Sequence, residues 1–173
     1  MSEYEFILVI DADLDDDAVL DRLFEAGCDD ATLGMSDGVG YGEFHREAPN
    51  FRDALMSAIY DVEVGAHLRV LHVEPDDLVT MADIARRLNK SREYIRQLVL
   101  GRKGPGDFPP PVSHLHSRSS LWRWSDVASW AGQLDPEMQE RARLTAGVNG
   151  FLEMRRARLE ESDAKELLAM AGG

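Results

Sequence analysis

The chain has 173 residues, 44% of them hydrophobic and 29% charged, which suits a soluble globular protein of two small domains plus an extension. Cys28 is the only cysteine, which excludes a disulfide framework, a cysteine-based zinc site and a Cys-X-X-Cys redox pair and fits the reducing cytoplasm. The N-terminus carries acids where a secretion signal needs bases, and the longest apolar run, Phe6 to Ile10, is far short of the ~20 residues of a membrane span. The net charge of −13 is unevenly spread: 20 acids and four bases in residues 1–78, four acids and nine bases in 79–132, eight acids and six bases in 133–173. A basic middle between acidic flanks is a first sign of a nucleic-acid partner.

Residues 4–10 (YEFILVI) are apolar, rich in β-branched and aromatic side chains, and read as a buried strand. Asp11 and Asp13 offer a cap for a helix over 14–26, with Asp15, Asp16 and Asp17 at the positive end of its dipole and Gly27 as its stop. A strand at 31–35, a tight turn at Asp37-Gly38 and a strand at 39–46 follow. Pro49 or Asn50 opens a helix whose Phe51, Leu55, Ala58, Ile59 and Val62 share one face, with Gly65 as its stop, and 67–73 is the last strand. The order β-α-β-β-α-β predicts a ferredoxin-like domain over 1–76, with an open sheet face and edge strands available for self-association. It resembles the order in small-molecule-sensing ACT-type domains and many dimerisation domains.

Three features of this domain suggest sharper chemistry. Asp11, Asp13 and Asp15 are spaced like the start of a calcium loop, but Asp16 and Arg22 stand where glycine and glutamate belong, so helix capping accounts for them better. Gly38, Gly40 and Gly42 lack the Lys-Ser/Thr of a phosphate loop and fit a hairpin or bulge. His45, His67 and His72 pair with no nucleophile or carboxylate in a known catalytic spacing.

In the basic middle, Thr80 and Asp83 form a capping box before a helix over 81–88. Asn89-Lys90 makes a tight turn. Ser91 caps a second helix over 92–100 that buries Ile95, Leu98 and Val99 and ends at Gly101. Two short helices so joined are a helix-turn-helix. Phe108-Pro-Pro-Pro-Val112 leads into a wing with its tip at 114–120, and Trp122, Trp124 and Trp130 supply the large aromatics that a core of about 54 residues needs. Two wing histidines, His114 and His116, lack a third metal ligand.

The segment MADIARRLNKSREYIRQLVL, followed by Phe108-Pro-Pro-Pro, Leu121-Trp-Arg-Trp124 and Trp130, resembles the winged helix-turn-helix of the MerR, excisionase and AlpA-type prophage-regulator group. The resemblance covers residues 79–131, less than a third of the chain. Ala85, Ile95 and Leu98 match its packing positions, and Asn89 stands where the group usually has glycine. A recognition helix enters the major groove N-terminus first. That places Ser91, Arg92, Glu93, Arg96 and Gln97 at base edges, and Thr80, Lys90, Tyr94, Arg102, Lys103, His116 and Arg118 at phosphates.

Asp135, Pro136 and Glu137 start a C-terminal helical arm over 134–171, with a break expected at Gly147, Asn149 and Gly150 and helix again over 151–170. The fold class expected is α+β: the ferredoxin-like domain, a winged helix-turn-helix domain over 79–132, and the arm. The function expected is a cytoplasmic, sequence-specific binder of double-stranded DNA, a bacterial or phage transcriptional regulator acting as a homodimer, with no catalytic residue, metal or cofactor and no membrane. Its N-terminal domain would meet itself, a protein partner or a small-molecule effector. The competing reading is an antitoxin-like or adaptor protein whose acidic domain binds a basic partner.

Overall fold

A computed structural model describes residues 1–113, 120–131, 136–158 and 160–171. The fold is mixed α+β and divides into two compact units, Met1–Glu74 with Gly147–Gly173, and Pro75–Ala146. Among the described residues no helix is long and apolar enough to cross a membrane.

The first unit contains β1 (Ser2–Ile10), α1 (Asp17–Glu25), β2 (Ala31–Ser36), β3 (Val39–Ala48), α2 (Phe51–Tyr60) and β4 (Val70–Glu74). Its strands form one antiparallel sheet in the order β2-β3-β1-β4. Side chains alternate across a strand, so β1 buries Tyr4, Phe6, Leu8 and Ile10 and exposes Glu3 and Glu5. Phe44 stacks on Phe6 from β3, and α2 brings Phe51 edge-on to the same ring. Leu23 of α1 and Ala54, Leu55 and Ala58 of α2 complete the core. Burial pushes the Cys28 thiol up to about 12, so it stays protonated and unreactive at neutral pH.

Several local expectations are corrected. The first helix begins at Asp17, not at residue 14, because the Asp16 carboxylate accepts the Ala18 N–H and makes Asp16 the cap. The second helix does reach Gly65 with Val62 buried, as expected, but its last turn, Asp61–Gly65, is π-helical, closed by Ala66 N–H to the Asp61 carbonyl at 2.8 Å. Gly65 sits so close to Ala26 that a Cβ there would lie 2.8 Å from the alanine methyl. The last strand starts at Val70, because His67 takes a left-handed backbone (φ 54°) that no strand accommodates.

The second unit holds β5 (Leu78–Val79), α3 (Met81–Arg87), α4 (Arg92–Val99), β6 (Trp122–Arg123) and α5 (Trp124–Ala131). β5 and β6 pair antiparallel, and Ser113 bridges Leu121 beside them. Ile84, Ile95, Leu98, Trp122, Trp124 and Val127 form its core, with Trp130 packed against it. Each indole N–H that faces the 104–111 loop is satisfied: Trp122 donates to the Pro109 carbonyl and Trp130 to that of Gly106.

A final correction concerns the arm. α6 (Pro136–Arg156) is one helix straight through Gly147 and Gly150, followed by α7 (Glu161–Ala171). Gly147 and Gly150 face open space, whereas Asn149 and Leu152 are buried. The Asn149 amide pairs with the β4 backbone as a neighbouring strand would, accepting from Val73 N–H and donating to the Val73 carbonyl, both at 2.8 Å. Arg155 adds a bond to the Val70 carbonyl and an ion pair with Glu63 at 2.8 Å. The β4 edge, expected to be free for self-association, is therefore occupied, and β2 remains as the sheet edge with a single partner strand. α7 leaves Leu167, Leu168 and Met170 exposed.

Candidate nucleic-acid interface

Local chemistry sets where α3 and α4 begin and end. Thr80 caps α3 in a reciprocal box: Asp83 N–H donates to the Thr80 hydroxyl at 3.2 Å, and the Asp83 carboxylate accepts the Thr80 N–H at 3.0 Å. The Thr80 hydroxyl also donates to that carboxylate at 2.6 Å. These bonds, with Arg86 alongside, hold the Asp83 carboxyl below the usual carboxylate range. They commit the Thr80 hydroxyl to the cap.

The turn between the helices is a Schellman closure. Lys90 N–H reaches the Ala85 carbonyl at 2.8 Å and Asn89 N–H reaches that of Arg86 at 3.1 Å, which needs a left-handed residue at Asn89 (φ 50°). Glycine is commoner there, but asparagine tolerates the conformation. Ser91 then caps α4 through the Tyr94 N–H. The same closure ends α4, with Gly101 left-handed and Arg102 N–H on the Gln97 carbonyl.

With Ile95 and Leu98 turned inward, α4 presents Ser91, Arg92, Glu93 and Arg96 to solvent, with Gln97 half-exposed. Glu93 organises this face. Arg96 Nε donates to its carboxylate at 2.9 Å and Gln97 Nε2 donates to the other oxygen. The bonds from Arg96 and Gln97 hold the Glu93 carboxyl below its ordinary value, and Glu93 in turn raises that of Arg96. Two expected base-readers are thus tied to a third.

Tyr94 is half-buried against the core, and its ring carries two ammonium groups, Lys90 at 5.9 Å and Lys103 at 5.5 Å. Cation–π attraction of this kind gathers both lysines beside the start of α4. Arg102 is exposed next to them. The other two expected phosphate contacts, His116 and Arg118, lie outside the described residues, as does His114.

Two residues that carry this unit were not singled out in the sequence. Asp77 is buried; its carboxylate accepts the Ser125 N–H at 2.7 Å, capping α5 from a distance, and pairs with Arg123 at 3.0 Å. Arg87 lies over the Trp124 ring at 5.0 Å and donates to the Asp76 carbonyl. Burial lowers the pKa of Arg87. The only sequence signal was an acidic pair, Asp76-Asp77, placed against a basic segment.

In the first unit, Asp11, Asp13 and Asp15 line one hollow with Gly38 and Gly40. Gly40 is required there, since a Cβ would meet the Ala12 carbonyl oxygen at 2.6 Å. His45 faces Glu5 at 3.8 Å, and Glu3, Glu5 and His45 bring ligand atoms within 4.8 Å of one another on the exposed sheet face. Compared with protein-family models, with curated proteins and with solved structures, the chain matches none.

Proposed function

We propose that the chain binds double-stranded DNA sequence-specifically, as a bacterial or phage transcriptional regulator does. The observation that carries this reading is the solvent-facing side of α4. It offers Arg92, Arg96 and Gln97 in sequence positions that a groove-entering helix uses, with Lys90 and Lys103 gathered on Tyr94 beside it. Residues 79–132 avoid acids while the rest of the chain is rich in them. In this reading α3, α4, the 113–121 bridge and α5 make a winged helix-turn-helix. The first unit is a ferredoxin-like module, with its strand order β2-β3-β1-β4, that pairs two copies and doubles the site read. The unpaired side of β2 is the edge left for that contact.

Arginine pairs bidentately with guanine and glutamine with adenine, so Arg92, Arg96 and Gln97 read base edges. Lys90, Lys103 and Arg102 hold phosphates that any duplex supplies. Neutralising ~5 phosphates per subunit gives a slope of log affinity against log salt near −4 to −5.

The test uses the full chain and a site selected from random duplex DNA. Arg96→Ala lowers affinity for that site by about ten- to a hundredfold and flattens preference at one or two base positions. Lys103→Ala weakens all duplexes alike and lowers the salt slope by about one unit. Affinity insensitive to salt, or uniform loss in both variants, would refute the reading. An antitoxin-like or adaptor role is favoured by one observation, the exposed glutamates Glu3, Glu5, Glu43 and Glu47 on the open sheet face, which suit a basic protein partner.

A further inference from the structure

The first unit is strongly acidic, yet one hollow of about 200 Å³ in it is ringed by four arginines, Arg69, Arg155, Arg156 and Arg158. They come from separate places. Arg69 precedes β4, Arg155 and Arg156 end α6, and Arg158 lies beyond the helix. Two arginines in the last turn of a helix have an ordinary explanation in the helix dipole. Arg158, just past the helix end, shares part of it, and Arg69, in no helix, does not. Arg158 stands, moreover, in the left-handed position after a helix (φ 54°) that glycine normally fills.

The four are not equivalent. Arg155 is spent on structure, through Glu63 and the Val70 carbonyl, and forms the fixed wall of the hollow beside the buried Leu152. Arg156 makes a surface pair with Glu153, both side chains being more than half exposed. Arg69 and Arg158 are exposed, and among the described residues neither forms an ion pair. Gathering four guanidinium groups with two carboxylates nearby is unfavourable until an anion enters, and planar N–H forks suit phosphate oxygens best.

We propose that this hollow binds a small phosphorylated anion, of phosphate to diphosphate size, through Arg69, Arg156 and Arg158 against the wall set by Arg155. The site is independent of α4 and would give the protein a ligand other than DNA. Val70, Leu71 and Leu152 complete the lining, and with Val70 and Leu152 buried the hollow offers mainly its guanidinium groups to a ligand.

Inorganic pyrophosphate, titrated calorimetrically into the full chain at low salt, is the probe. A saturable one-site isotherm is expected, weakened by about tenfold or more in Arg69→Gln/Arg158→Gln, because each loses charge-assisted bonds. Arg96→Ala, in α4, should bind pyrophosphate as the wild type does. Circular dichroism melts check the double variant; if it melts early, Arg158→Gln alone, past the helix end, carries the comparison. No saturable heat at millimolar pyrophosphate, or undiminished binding in the arginine variants, overturns the proposal. A DNA arm separates the other source of phosphate. If Arg69→Gln/Arg158→Gln lowers the DNA salt slope by about two units, these arginines hold duplex phosphates instead and the proposal fails; an unchanged slope with lost pyrophosphate binding supports it.

Discussion

Arg46 offers the sharpest test of what holds the acidic unit together. It projects from β3 into the helix-covered side, is almost fully buried, and uses every N–H it has. Nε and Nη2 clasp Asp30 at 2.7 and 2.9 Å; Nη2 also reaches the Gly27 carbonyl at 2.8 Å; Nη1 reaches Ser57 at 3.1 Å and Asp61 at 2.6 Å. Burial opposes the charge, but the bonds to Asp30 and Asp61 outweigh it and raise the guanidinium above its usual pKa. Replacing Arg46 by Met fills the space but strands two carboxylates and a carbonyl. Breaking a buried pair costs about 3–5 kcal/mol. Asp30 and Asp61 keep about a quarter of their side-chain surface in water, so the lower end, about 3 kcal/mol, is expected. That corresponds to a fall in melting temperature of about 6–12 °C for a chain of this size. Arg46→Lys, which keeps the charge but cannot fork, should recover only part of the loss. Urea unfolding followed by far-ultraviolet circular dichroism measures both. A loss under about 1 kcal/mol for Arg46→Met, or full stability in Arg46→Lys, would refute the account.

Two further predictions concern local devices. Asp83→Asn should cost about 1 kcal/mol at pH 7 through the α3 cap. Because the folded pKa of Asp83 is depressed, that contribution is present above the unfolded carboxylate value of about 4 and is lost as pH falls through the folded value, so wild type and variant should converge as the solution is made more acidic than that. Tryptophan fluorescence reads this directly, since all three tryptophans, Trp122, Trp124 and Trp130, lie in the same unit. Asn149→Leu leaves the Val73 N–H and carbonyl without their amide partner and should destabilise by about 2–3 kcal/mol. It also uncovers the β4 edge, so sedimentation should show more association than in the wild type; a variant as stable and as dispersed as the wild type would count against the strand-mimic role.

What was legible in the sequence was what neighbours within four residues decide. The strand over residues 4–10, the caps at Asn50, Thr80 and Ser91, and the turn at Asn89 are all local, and each is found. Contacts between distant segments were not legible. Arg46 reads as one more residue at a strand end until Asp30 and Asp61 are brought to it. Gly147 and Gly150 read as helix breakers, each costing about 1 kcal/mol against alanine. They fail to break α6 because both lie on its open side while Asn149, Leu152 and Arg155 on the other side are anchored. On the candidate interface the Thr80 cap was readable, but the ties among the other residues were not: Arg96 and Gln97 are bonded to Glu93, and Tyr94 serves the lysines rather than standing free.

Those ties bear on how α4 would discriminate. Arg96 and Gln97 are bonded to Glu93, and under the proposed function they would approach DNA in that state. On a random duplex, an Arg96 that turns to a phosphate exchanges one anionic partner for another and leaves Glu93 bare beside the backbone. The exchange gains little. On the correct base pair, Arg96 can fork onto guanine while Glu93 accepts from a cytosine amino group, and both ends of the broken pair are repaid. Glu93 would therefore lower affinity for wrong sequences more than for right ones, which is how specificity is made from a difference. Glu93→Gln tests this. It should raise affinity for random duplex by roughly two- to fivefold, as expected for releasing one exposed ion pair, and should leave affinity for the selected site unchanged or lower. Equal gains on both kinds of DNA would mean that Glu93 acts only as a nearby negative charge, and the linked-reader account of α4 would have to be given up.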